Sequence, residues 1–177
     1  KKADREAQLV ALVNSYDQEV VPLVRAGKIQ GNAKGLSNQF KSKWNANQYA
    51  FAAGYAIQME RILAVARNVG TDRYPQLTGV EIQLDVSTGS RGRIDFTAID
   101  KAETKLVPIA VEVKNYGGIW KDRKKKDGTV VTTADLIDER LATLDRQVSA
   151  RLLDKSYSGV TVELRGMSAA PPEAQAA

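Results

Sequence analysis

The sequence predicts an α+β fold: a mixed central sheet with an α-β-β-β-α-β core flanked by helices, plus extra N-terminal helices. Three observations carry this prediction. Val80, Ile82, Leu84 and Val86 alternate with Glu81, Gln83 and Asp85, and Ile94, Phe96 and Ala98 alternate with Asp95 and Thr97, the period of two that marks strands. Val107 to Val113 is an apolar, β-branched run, as expected of a third and more deeply buried strand. Stretches of helical spacing precede and follow these strands, and Gly159 to Leu164 reads as one more strand after the second helix. Ser87–Gly92 is a turn, and Lys101–Lys105 has the length of a hairpin loop, so the first three strands should be antiparallel. The fourth follows a helical crossover and can add in parallel.

Along the chain, Asp4–Val13 and Tyr16–Arg25 read as two short helices, the second bent or restarted by Pro22. Ser37 is a candidate N-cap for helix from about Asn38 to Asn68, either one long helix or two split near Asn45–Asn47. Asn68-Val69-Gly70 supplies its stop. Thr133 or Asp135 can cap a helix over roughly Ala134–Lys155, with Leu136, Ile137, Leu141, Leu144, Val148, Leu152 and Leu153 on its buried face. Residues 1–35 then form an N-terminal helical extension, 36–166 the main domain, and 167–177 a Pro/Ala/Gln tail expected to be disordered.

Composition narrows the chemistry. With 177 residues, 43% hydrophobic and 27% charged, the chain suits one soluble domain with a real core. No apolar run approaches the ~20 residues a membrane span requires. The absence of Cys and His excludes disulfides, thiolate zinc sites and histidine-based catalysis. Any metal must be held by oxygen ligands, which points to magnesium, manganese or calcium. A net charge of +5 favours a polyanionic partner.

Pairing of the second and third strands brings Asp95, Glu112 and Lys114 together, because Glu112 and Lys114 are two apart and share a face. Two carboxylates and an ammonium on one sheet surface suit a divalent metal better than a core. The alternative is an exposed cross-strand ion pair, which is common and weak. Glu60 lies on a mainly apolar helical segment and needs either a function or a surface partner such as Arg61 or Arg67. Downstream, Lys121, Arg123, Lys124, Lys125 and Lys126 are interleaved with Tyr116 and Trp120, a pattern that suits phosphates and an unpaired base, or else a solvated basic loop. Arg93 on the neighbouring strand offers a further backbone-phosphate contact, or else plain surface charge.

This arrangement resembles the PD-(D/E)xK (restriction-endonuclease-like) nuclease superfamily. Gly92-x-x-Asp95 followed by Glu112-Val113-Lys114 matches its site in order, spacing and strand context, over roughly residues 45–165. The resemblance implies Asp95 and Glu112 as metal ligands and Lys114 as the residue that orients water and stabilises charge. It also implies Glu60 as the helical acid, Asp85 as a further metal ligand, and Arg146, Gln147 or Arg140 facing the site from the last helix. One departure is Ile94, which stands where the family name places a proline. The cofactor implied is Mg2+ or Mn2+. Within the superfamily the small basic domain is similar to C-terminal toxin domains of bacterial contact-dependent growth inhibition systems. That implies a nuclease acting on RNA (tRNA first), a cognate immunity protein as partner, and secretion or delivery into a target-cell cytoplasm. The alternatives are a DNA endonuclease of restriction or repair type, cytoplasmic, and a non-catalytic nucleic-acid-binding module.

Overall fold

The computed structural model describes residues 2–67, 73–84, 92–102, 107–116, 120–167, 170–172 and 175. Asp85, residues 87–91, residues 103–106, Gly117-Gly118 and the expected stop at residues 68–70 lie outside them.

The chain opens with α1 (Lys2–Glu19) and α2 (Val21–Arg25). The break falls at Val20, ahead of the proline, and Pro22 sits in the first turn of α2, where its missing N–H is not needed. These helices are no appendage. Val13, Tyr16, Val20 and Val21 belong to the same buried cluster as Met59, Ile62, Val80 and Phe96, so residue 35 marks no boundary in the core. A two-residue strand, β1 (Gln30–Gly31), was not legible in the sequence. At Gly31, φ is +103° and an added Cβ would lie 1.8 Å from the Val80 carbonyl oxygen, so only glycine fits.

Asn32 caps α3 (Ala33–Asn45), its side chain accepting the Gly35 N–H at 2.9 Å. Ser37, the expected cap, lies inside α3 instead; its buried hydroxyl donates back to the Lys34 carbonyl at 3.1 Å. Asn47, with φ of 57°, then turns the chain into α4 (Tyr49–Arg67), so the split form of this region is the one observed.

The strands follow: β2 (Gln76–Gln83), β3 (Arg93–Ile99) and β4 (Ile109–Asn115). The basic stretch expected as a loop contains a two-stranded ribbon of β5 (Arg123–Lys124) and β6 (Val130–Val131). Thr132 caps α5 (Thr133–Leu152) in a reciprocal capping box with Asp135, and β7 (Val160–Arg165) completes the order. The main sheet runs β1-β2-β3-β4-β7. β2, β3 and β4 are antiparallel neighbours, while β1 and β7 join in parallel at the two ends. This is the mixed α+β sheet expected from the strand and crossover pattern.

Side-chain alternation divides the sheet. Phe96, Ala98, Ile109 and Val111 join the apolar cluster beneath α4, α1 and α3. Val113 pairs with Glu163, whose carboxylate takes a hydrogen bond from Arg61 of α4 at 2.7 Å, so this face belongs to α4. Glu112 and Lys114 therefore face the other way, toward α5. The C-terminal segment is tied down in part: Ala170 is buried, and the Gln175 amide donates to its carbonyl.

Candidate active site

The β3–β4 register pairs Phe96 with Val111 and Thr97 with Ala110, and Asp95 and Glu112 are the next residues along the two strands. Asp95 Oδ2 accepts the Val113 backbone N–H at 2.7 Å, which fixes the aspartate against β4. Lys114 Nζ donates to Glu112 Oε2 at 2.7 Å. The three residues expected to converge do so, and together with Gly92, Arg93, Thr143, Arg146, Gln147 and Arg151 they line an open groove of about 420 Å³.

Arg151, absent from the sequence reading, completes the floor. It is 4% exposed, its Nε donates to Glu112 Oε1, and its remaining nitrogens donate to the Gln147 and Arg93 carbonyls. Glu112 is thus a fully buried carboxylate with one base on each oxygen, a two-sided pairing that makes a buried anion tolerable.

Asp95 is in the opposite condition. Burial first, then the neighbouring Glu112 charge, push its carboxyl up to about 7; Lys114 and the Val113 N–H offset this only in part. Glu81 adds a smaller push in the same direction. The β2–β3 register sets Glu81 opposite Asp95, yet its φ of 51° departs from strand geometry. Its carboxylate accepts from Gln58 of α4 at 2.6 Å and faces Arg93 at 3.4 Å, and it does not line the groove.

Two expectations need correction. Glu60 is exposed on α4 and lines a groove against Arg5, Gln8, Leu9 and Leu12 of α1, far from the strand cluster; Arg61 and Arg67, its expected partners, reach Glu163 and Glu19. The α4 residue that does reach the site region is Gln58, bonded to Glu81 and 3.5 Å from the Asp95 carbonyl. Asp85 lies outside the described residues. Leu152 and Leu153, assigned to the buried face of α5, are 61% and 62% exposed. The inward stripe is Leu136, Arg140, Thr143, Gln147 and Arg151, polar because the sheet face it meets is charged.

Of the expected nucleic-acid contacts, Arg93, Arg146 and Gln147 line the groove and Arg123 lines an adjoining cleft. Lys121, Lys124, Lys125 and Lys126 are exposed along the β5–β6 ribbon. Trp120 meets Tyr116 edge to face at 5.9 Å, and Arg140 lies over both rings.

Comparison with protein-family models, curated proteins and solved structures found no match.

Among the described residues no three acidic side chains gather as a preformed metal cage. Magnesium, however, is commonly held by one or two carboxylates, with waters and substrate phosphates filling its remaining positions. The under-compensated charge at Asp95 fits such an ion. Glu112 fits less directly, because Lys114 and Arg151 already occupy both its oxygens.

Proposed function

We propose that the protein is a divalent-metal-dependent endonuclease of the PD-(D/E)xK type. The observation that supports this most is the meeting of Asp95, Glu112 and Lys114 in one groove, on adjacent strands within an α-β-β-β-α-β order. Asp95 would hold a magnesium or manganese ion, with Glu112 behind it, and such an ion supplies phosphoryl polarisation and a more acidic water. Lys114, anchored on Glu112, presents its ammonium where negative charge grows on the phosphate. Arg93, Arg146 and Gln147 at the rim position the phosphate backbone. As substrate we take RNA, tRNA first, and as biological setting a bacterial toxin domain neutralised by an immunity protein. Both rest on the resemblance together with the net charge of +5. No helix among the described residues is long and apolar enough to cross a membrane.

The test incubates purified protein with total tRNA and with plasmid DNA, in Mg2+ and in EDTA. Metal-dependent RNA cleavage is expected, with Asp95→Ala and Lys114→Ala each slowing it about a hundredfold or more while circular dichroism stays unchanged. DNA cleavage alone would replace the toxin reading with the restriction or repair one. A second reading has one observation in its favour: Glu112 saturated by two bases is what a purely structural ion-pair network looks like. Intact nucleic acid in every condition, with the fold intact, would favour that binding-module reading.

A further inference from the structure

Beside the catalytic groove lies a second cleft of about 280 Å³, near the lower end of the size range of small-molecule sites. Lys114, Thr143 and Gln147 line both, so the cleft opens directly from the place where a phosphate would be attacked. The rest of its lining is Tyr116, Arg123, Leu136, Glu139 and Arg140, with the Arg123 guanidinium 3.9 Å from the Glu139 carboxylate. The Arg140 guanidinium sits 4.9 Å from the centre of the Tyr116 ring and 5.3 Å from that of Trp120. Held between two perpendicular rings, it presents a planar cation of fixed orientation, a surface on which another flat group can stack.

The polar inventory of this wall is incomplete. Gln147 Oε1, Arg140 Nε and Trp120 Nε1 are buried and have no hydrogen-bond partner among the described residues. A buried unsatisfied group is costly, and its retention beside a groove calls for a reason. Gln147 lines both cavities, so its side chain flanks the passage between them.

From this we infer that the second cleft takes one unpaired nucleotide next to the phosphate under attack. Its base stacks on the Tyr116–Arg140 wall with an edge toward Gln147, and its own phosphate meets Arg123 in place of the Glu139 carboxylate. A base seated there has left its helical stack, so the substrate is a single strand or a loop. The inference rests on the nuclease reading for the attacked phosphate, but nucleotide binding in the cleft can be measured without cleavage.

Two arms test it. In the first, one oligonucleotide sequence is offered as single strand, as hairpin loop and as blunt duplex, in RNA and in DNA. The single strand and loop should be cut at least tenfold faster than the duplex, and Arg140→Ala should raise KM for them about tenfold. Arg140→Lys, which keeps the charge but loses the plane, should not restore it. In the second arm, Trp120 emission is read in a Trp44→Phe, Asp95→Asn background, which leaves Trp120 the sole tryptophan. Single-stranded oligonucleotide should shift that emission, and duplex should not. Cleavage of all forms at equal rates, with Arg140→Ala without effect, overturns the subsite and leaves the nuclease standing. An emission shift without cleavage keeps the subsite and removes the nuclease. Neither shift nor cleavage removes both.

Discussion

The two helices that flank the sheet do opposite work. α4 buries Ala52, Ala56, Met59, Ile62, Leu63 and Val65, and closes its face of the sheet by hydrophobic contact. α5 is of similar length, yet the residues it buries fully are Leu136 and Arg151. It is held by a capping box at one end and by the bonds of Arg151 at the other. Burial of apolar surface leaves little free volume, whereas a helix held by a few directional bonds can stand off from the sheet. The difference explains why both clefts that a ligand could enter near the carboxylates lie under α5.

The contrast can be broken from either side. On the α4 face, Phe96→Ala should destabilise the fold by about 4 kcal/mol in urea titration, because it empties a fully buried site. A loss under 1 kcal/mol would mean this face is not the main core. On the α5 face, Arg151→Ala should cost about 3 kcal/mol, since it strands a buried carboxylate, and adding Glu112→Gln should recover part of the loss. If the double variant is no more stable than the single one, Arg151 acts through packing and not through charge.

Asp95→Asn has the opposite sign. Burial and the Glu112 charge push the folded carboxyl up to about 7, above the unfolded value of about 3.9, so the fold favours the protonated form. The favourable contribution is complete below pH of about 4 and is lost as pH rises through about 7. Without divalent metal, Asp95→Asn should therefore melt several degrees higher than the parent at pH 8, and the gain should vanish near pH 3. A gain independent of pH would place the cause elsewhere. The smallest effect is expected at Glu60: Glu60→Ala should change stability by no more than about 0.5 kcal/mol and leave cleavage at the parental rate.

Much of the sheet could be read from alternation, because strand faces repeat every two residues and Glu112 and Lys114 must then share one. The hairpin order made Asp95 their neighbour. Glu60 misled for a geometric reason. Gln58 and Glu60 are two apart on a helix and point roughly 200° from one another, so only one can face the sheet, and apolar neighbours alone do not say which. Glu81 was visible as a polar strand residue, but nothing in the letters announces a positive φ. For α5, the Leu152-Leu153 pair drew the predicted inward face toward apolar residues. The resemblance turned Arg140 and Gln147 toward the site, and the same helical spacing carries that stripe on through Thr143 to Arg151, which the charge of the opposing sheet face explains.

The short strand at Gln30–Gly31 carries a consequence for any shortened form of this chain. It covers the rim of β2 at Gly79 and Val80, and the next residue, Asn32, donates its N–H to the Val80 carbonyl at 2.8 Å. A version starting after Gly31 would bare that rim along with the apolar surface that α1 and α2 shield. Exposed main-chain donors and acceptors of this kind recruit strands from other molecules. Such a truncation should clump in solution where the full chain stays dispersed.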